Sequence, residues 1–207
     1  MTKKQKLCLA IDTASDISSV ALCDESGNHA TTRMAAARGQ GEALMGMIQD
    51  VLNQMKKATK DLTHIAVAIG PGSFTGVRIG LATARGLGLA LGIPVLGVDN
   101  FYATAYGLKK AVTIVLDSKR DDYFVQRFDA KGNALDTPAL KTTAQLKKIM
   151  PFIACGSGTA RLAQEIKCKT IEPKQDLALS VAEIALQEPT KTTEPHPLYL
   201  RDADVTI

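Results

Sequence analysis

Tryptophan is absent from this sequence, and aromatic residues make up 4% of it. Stacking of bases on exposed rings is therefore a poor fit as a main mode of contact with nucleic acid. Histidine is scarce as well. His29, His64 and His196 stand far apart, with no H-x-x-x-H or H-E-x-x-H spacing that would bring two rings to one ion. A metal held by this chain is not expected. The four cysteines, Cys8, Cys23, Cys155 and Cys168, form no C-x-x-C pair, so neither a zinc site nor a disulfide framework is signalled. Two of them sit in predicted core strands and read as small hydrophobes, which fits a reducing compartment. Long apolar runs are missing too. Ile79–Val98 comes nearest, but Arg85, five glycines and Pro94 interrupt it. The opening Lys3-Lys4-Gln5-Lys6 precedes five apolar residues before Asp12, too few for a signal peptide. The expectation is a cytoplasmic protein without membrane contact. There is no G-x-S-x-G elbow, no G-K-[ST] phosphate loop and no cysteine beside an activating base, so no catalytic constellation emerges.

What is present is an ordinary globular composition. Of 207 residues, 45% are hydrophobic and 22% charged, enough for one large domain or two small ones with a sizeable core. The net charge of +4 permits contact with nucleic acid without arguing for it.

The stretch from Ile65 to Gly92 organises the chain. Ile65–Ile69 is a short apolar run and predicts a buried strand. Gly70-Pro71-Gly72 predicts a tight turn, and Ser73 an N-cap. A helix is predicted from Phe74 to Leu91. Along it, Gly76, Gly80, Ala84, Gly88 and Gly92 recur at every fourth position and form one slanted row. Each glycine inside a helix costs about 0.8–1 kcal/mol against alanine, so the row calls for close approach by another backbone. That backbone belongs either to the chain's own sheet or to a partner. Arg78 and Arg85 share a face. Gly72 and Ser73 lead into a helix N-terminus that could hold an anion, or serve strand-to-helix packing alone.

The remaining pattern is alternating strand and helix. Leu7–Ile11 predicts a central strand ending at Asp12, and Ser18–Cys23 with His29–Arg33 a hairpin. Gly41–Lys57 carries apolar residues at Leu44, Met47, Ile48, Val51, Leu52 and Met55, the spacing of an amphipathic helix. A strand at Pro94–Val98 and a helix at Phe101–Lys109 follow. The order then restarts: Ala111–Leu116 ends at Asp117, and Asp122–Phe128 and Ala134–Leu140 flank a turn. Asp117 stands 105 residues after Asp12, Asp129 the same distance after Asp24, and Gly132-Asn133 after Gly27-Asn28. Three matches at one offset indicate a duplication. A strand at Phe152–Ala154 leads into Gly156-Ser157-Gly158-Thr159 and a helical stretch, and Ser180–Gln187 predicts a last helix. The expected domains are 1–109 and 110–207.

Such duplicated units resemble the actin-like ATPase superfamily. More closely, Leu9-Ala10-Ile11-Asp12-Thr13-Ala14-Ser15, the undecapeptide from Gly70 to Gly80, and Pro197-Leu198-Tyr199-Leu200-Arg201 resemble the TsaB family, glycoprotease-like proteins of bacterial threonylcarbamoyladenosine biosynthesis. The resemblance covers essentially the whole chain. Asp117-Ser118-Lys119 departs mildly from the family's Asp-Ala-Arg. The resemblance implies an α/β protein with a duplicated actin-like (ribonuclease H-like) fold in two mixed-sheet lobes. It implies tRNA modification at the adenosine next to the anticodon, with the chain as a non-catalytic subunit that binds and activates a TsaD-like transferase, and a TsaE-like ATPase joining the pair. It places no cofactor on this chain alone and expects ATP and a metal on the partner subunits, with tRNA reached through the complex. A homodimer in isolation is a further expectation. Carried onto these residues, the partner interface falls on Leu44, Met47, Ile48, Val51, Gly76, Arg78, Gly80 and Ala84. Asp12, Thr13, Gly72, Ser73 and Asp117 would be remnants of a phosphate side, since no glycine follows Asp12. The alternative is a self-sufficient ATPase or glycoprotease-like hydrolase of the same superfamily.

Overall fold

The structure, a computed structural model, describes residues 5–35 and 39–201. Its strands are β1 (Leu7–Asp12), β2 (Ile17–Asp24), β3 (His29–Ala35), β4 (His64–Ala68), β5 (Val95–Val98), β6 (Val112–Asp117), β7 (Asp122–Phe128), β8 (Ala139–Thr142), β9 (Ile153–Cys155) and β10 (Lys169–Ile171). Its helices are α1 (Gln40–Gln54), α2 (Phe74–Leu91), α3 (Asn100–Ala105), α4 (Thr143–Lys147), α5 (Thr159–Glu165) and α6 (Leu177–Gln187). The strands form two five-stranded sheets, ordered β3-β2-β1-β4-β5 and β10-β9-β6-β7-β8. Read from its hairpin edge, each sheet has the same order: two antiparallel neighbours on one side of the first strand, two parallel neighbours on the other. The duplication inferred at an offset of 105 residues is thus a duplication of topology.

The offset holds down to single atoms at the hairpin turns. Asp24 Oδ1 accepts the Ser26 and Asn28 amides at 2.9 and 3.0 Å, and its Oδ2 accepts Asn28 Nδ2 at 2.9 Å. Asp129 repeats all three bonds with Lys131 and Asn133 at 2.8, 2.9 and 3.1 Å. Gly27 and Gly132 take φ of 87° and 80°, a region that L side chains rarely enter.

The third strand breaks the repeat. A strand at Ala134–Leu140 was the expectation, but β8 starts at Ala139. An isolated bridge joins Phe128 to Ala134, and regular pairing resumes with Val125 opposite Ala139. Three steps along β7 are therefore matched by five along its partner. Pro138 offers no N–H to the ladder, and Asp136 turns back to bond Arg127 Nε at 2.7 Å. The short strand β10 is an addition to the predicted set, and α6 starts three residues before the expected Ser180.

The chain divides into two compact units, Met1–Ala103 with Gln175–Leu198, and Thr104–Lys174 with Tyr199–Ile207. The expected lobes, 1–109 and 110–207, differ from this division chiefly at α6, which lies in the first unit. The reason is packing: α6 covers β1, β2 and β4 on one face of the first sheet. Alternate residues of β1 explain the second layer. Leu7, Leu9 and Ile11 join a cluster with Leu44, Ile48 and Val51 of α1 and Val77, Leu81 and Ala84 of α2. In the second unit, Val115, Tyr123 and Val125 cluster with Leu146 of α4 and Leu162 of α5. Among the described residues, no helix is long and apolar enough to cross a membrane.

Candidate functional site

The C-terminal end of β1 meets the start of α2, and the glycine row explains how closely. A Cβ on Gly76 would lie 1.9 Å from Thr13 O, one on Gly72 2.3 Å from Ala14 O, and one on Gly80 2.7 Å from Thr13 Oγ1. Farther along, a Cβ on Gly88 would lie 2.2 Å from Val95 Cγ2. The row therefore packs on the chain's own β1 end and sheet. Ser73 N donates to Ala14 O at 2.8 Å, Ser73 Oγ accepts Gly76 N at 3.2 Å, and Thr13 Oγ1 donates to Gly76 O at 2.6 Å. The Ala14 carbonyl accepts the Ser73 amide just ahead of α2, and the Ser73 hydroxyl accepts Gly76 N, one of the first amides of the helix, so these residues tie the strand end to the helix start.

Asp12 ends β1 at 0% exposure. Its Oδ1 accepts the Ala14 amide at 2.9 Å, while Oδ2 is buried without a hydrogen-bond partner. Burial pushes its carboxyl up to about 6, against the opposing pull of Ser15 and the Ala14 amide. Asp117, its counterpart, ends β6 in a wetter setting. Arg161 Nη1 lies 3.2 Å from Asp117 Oδ1, and Lys119 Nζ lies 3.4 Å from Oδ2. Its own amide donates to Ser157 Oγ at 3.1 Å. The Arg161 guanidinium also lies 4.0 Å from the centroid of the Tyr123 ring. Here too the glycine turn is packed on its own strand: Gly158 N donates to Val115 O at 3.0 Å.

The structure places the expected interface residues inside the first unit. Leu44, Met47, Ile48 and Val51 are 1%, 7%, 2% and 0% exposed and belong to its core. Gly76, Gly80 and Ala84 are buried against β1. The apolar face of α1 and the small-residue row of α2 were the strongest periodic signals, and both serve the unit's own packing. Arg78 is exposed and lies over the Phe74 ring, 3.7 Å from its centroid. What α1 and α2 present outward includes Met45, 53% exposed, and Leu89, 87% exposed.

Three further residues outside the expected site position this region. Asn100, buried at the start of α3, accepts Gly70 N at 3.3 Å and donates Nδ2 to Pro71 O at 3.1 Å, so it holds the Gly70-Pro71 turn from behind. Arg85 donates to Pro195 O, and its Nη2 lies 3.3 Å from His196 Nδ1. Leu198 N donates to Ile69 O at 2.8 Å. The Asp99-Asn100 pair between a strand and a helix was a usable signal for the first. The other two depend on contacts more than a hundred residues apart and could not be read locally.

The thiols bear out their reading as small hydrophobes. Cys8 and Cys23 face each other across β1 and β2. Cys8 is pushed up strongly by burial, and burial pushes Cys23 to about 11 and Cys155 to about 12. None is a thiolate at neutral pH. Among the described residues no three His, Cys, Asp or Glu side chains gather as a metal site would require.

Comparison with known proteins agrees with this architecture. The family described as "TsaD: tRNA N6-adenosine threonylcarbamoyltransferase" matches residues 33–200. The tRNA threonylcarbamoyladenosine biosynthesis protein TsaB of Escherichia coli (strain K12) is 38% identical over 61% of this chain and 57% of its own length. The chain thus matches little more than half of that relative. The protein of the same name from Buchnera aphidicola subsp. Schizaphis graminum is 31% identical over 68% of this chain and 69% of its own. The solved structure of YeaZ from Pseudomonas aeruginosa superposes with a TM-score of 0.79 at 23% identity, covering 94% of this chain and all of that one. The two like-ordered mixed sheets, the turn packed on the end of the first strand and these matches together show that the chain belongs to the TsaB family, within the wider family described for TsaD.

Proposed function

We propose that this chain acts in the formation of threonylcarbamoyladenosine on tRNA, as a subunit that binds and activates a TsaD-like transferase rather than as the transferase. The observation that carries the reading is the close seam between β1 and α2. Backbone of Thr13 and Ala14 lies against Gly72 and Gly76 where the helix begins, and Asp12 beside it is sealed at 0% exposure, with burial favouring its neutral form. ATP and metal then belong to the partner subunits, the transferase and a TsaE-like ATPase, and the site of action is cytoplasmic. Family membership and the names of its relatives support the pathway.

The docking face is the outward side of α1 and α2, with the exposed Arg78 of the expected set joined by Met45 and Leu89. The same face would serve a homodimer of the free chain. Incubating the purified chain with tRNA, the threonylcarbamoyl-adenylate donor, ATP and the TsaE-like ATPase, with and without the transferase subunit, tests the role. Modified adenosine is expected only when the partner is present, and turnover by this chain alone would establish the self-sufficient enzyme instead. For the face, Met45→Glu combined with Leu89→Glu is expected to weaken co-purification with the transferase about tenfold or more, with the melting temperature unchanged. Unaltered co-purification would place the interface elsewhere.

A further inference from the structure

The two units carry charge very unequally. The second unit, with Thr104–Lys174 and Tyr199–Ile207, holds 14 Lys and Arg against 9 Asp and Glu, whereas the first holds 11 against 12. The excess is gathered at one end. Lys109 and Lys110 stand three and two residues ahead of β6, Lys147 and Lys148 close α4 on the way into β9, and Lys167 and Lys169 stand at the start of β10. Because β6, β9 and β10 are parallel, these segments lie together at the end where the strands begin. Val112 faces Phe128, so the turn bearing Lys131 comes to the same end. All seven lysines are exposed. The acidic groups nearby are engaged or few. Asp129 is held by the Lys131 and Asn133 amides and by Asn133 Nδ2, Asp136 is paired with Arg127, and Glu165 accepts from Tyr123 Oη.

Lysine on an edge strand guards against unwanted sheet pairing, which accounts for Lys169 on β10. It does not account for Lys109, Lys110, Lys147 and Lys148, which lie off any sheet edge. Their spread also argues against a single small anion. With neighbouring strands about 4.8 Å apart, the groups from β10 to β7 span on the order of 15 Å. Point charges at that spread match a row of backbone phosphates.

We infer that this lysine-rich end of the second unit is a docking surface for the phosphate backbone of RNA. The choice of RNA among polyanions rests on the proposed role in tRNA modification. Contact of this kind needs no aromatic stacking, which the composition does not supply, and A-form helices are commonly held through their phosphates and sugars.

The test is binding of the full chain to an unmodified tRNA transcript by fluorescence anisotropy across a salt series. The unsubstituted chain is expected to bind at low salt, with affinity falling steeply as salt rises. The quadruple variant Lys147→Gln, Lys148→Gln, Lys167→Gln, Lys169→Gln is expected to bind about tenfold or more weaker, with a salt slope shallower by about 3. Lys56→Gln with Lys57→Gln, exposed in the first unit, is the matched control and is expected to leave both unchanged. Equal affinity and slope in the quadruple variant would overturn the assignment, as would no binding of the unsubstituted chain at low salt. Anionic vesicles or poly-glutamate displacing tRNA at equal charge concentration would overturn it in favour of a membrane or an acidic protein. Co-purification with the transferase, read on the same samples, separates the two claims. Its retention in the quadruple variant while tRNA binding falls supports the surface, and its failure in the unsubstituted chain would overturn the proposed role without touching the RNA result.

Discussion

Asp12 and Asp117 occupy the same place in two copies of one topology, the last residue of the first strand, yet their surroundings are opposite. Asp12 is sealed at 0% exposure, with one oxygen unpaired. Asp117 sits between Arg161 and Lys119 with its side chain 16% exposed. The difference follows from what each unit packs against that strand end. In the first, Gly72 ahead of α2 and Gly76 and Gly80 within it let the helix approach Ala14 and Thr13 closely, and the adjoining Asp12 has no exposed surface. In the second, the seven-residue α5 has Arg161 in its first turn, and that guanidinium reaches the carboxylate. A shared scaffold therefore constrains where the carboxylate stands but not whether it is solvated. The second unit keeps a charged, reachable end, and the first has turned the same position into packing.

The sharpest way to break the comparison is to deny the first unit its close approach. Gly76→Ala puts a methyl 1.9 Å from Thr13 O, a backbone atom that cannot rotate away. A loss of about 3 kcal/mol or more is expected, near the top of the range for overpacking. Gly132→Ala in the second unit meets no atom within 4 Å and has the strain of φ 80° alone, so it should cost only about 1 kcal/mol. Chemical denaturation of both variants measures the gap. Equal losses would mean that the β1–α2 seam is not tight.

The carboxylates themselves give the next effect. The Asp12 carboxyl is raised from 3.8 to about 6 by burial. Between those pH values the folded chain holds a proton that the unfolded chain has released, so stability falls as pH rises from about 4 to about 6. Above that window the ionised, buried group is a standing penalty of up to about 3 kcal/mol. Asp12→Asn is therefore expected to stabilise the protein at pH 8, by about 1–3 kcal/mol, and to flatten the profile below pH 6. Asp117→Asn removes two partly exposed ion pairs and should destabilise by less than about 1 kcal/mol. Thermal melts from pH 4 to pH 8 separate the two. Destabilisation by Asp12→Asn at pH 8 would mean that the carboxylate has a stabilising partner.

Much of this was legible before the structure. The bounds of α2 follow from Ser73 as cap and Gly92 as stop, and the helix runs from Phe74 to Leu91 as read. The duplication was visible because turn chemistry is local: an Asp, a Gly and an Asn at fixed offsets dictate the same bonds in both copies. The apolar face of α1 was legible, but what covers it was not. Periodicity identifies a buried face without naming what buries it, and Leu44, Met47, Ile48 and Val51 are packed in the unit's own core. The third strand of the second unit escaped because Pro138 interrupts a ladder that composition alone continues. Asn100 and Arg85 escaped because their partners lie 30 and 110 residues away. The lysine-rich end of the second unit is invisible as a run, since its residues come from four separate connections.

The smallest effect tests where the two units agree. Asp24 and Asp129 make the same three bonds at their hairpin turns, so their removal should act in the same direction. Burial tends to raise the Asp24 carboxyl, but Asn28 and the Ser26 amide together hold it below the usual range. The Asn133 amide and side chain do the same for Asp129. Both groups therefore support the fold when ionised, and that support is lost as pH falls through their lowered values. Asp24→Ala is expected to cost about 1 kcal/mol at neutral pH, the net worth of a few part-buried bonds to a charged acceptor. Asp129→Ala should cost less, because its turn is fully in water and the bonds compete with solvent. The double variant should show the sum of the two losses, since the turns belong to different sheets and share no partner. Melting the two single variants and the double at pH 7 measures this. A larger loss for Asp129→Ala would show that the second unit leans on its turn more than the first, reversing the order of solvent exposure that separates them.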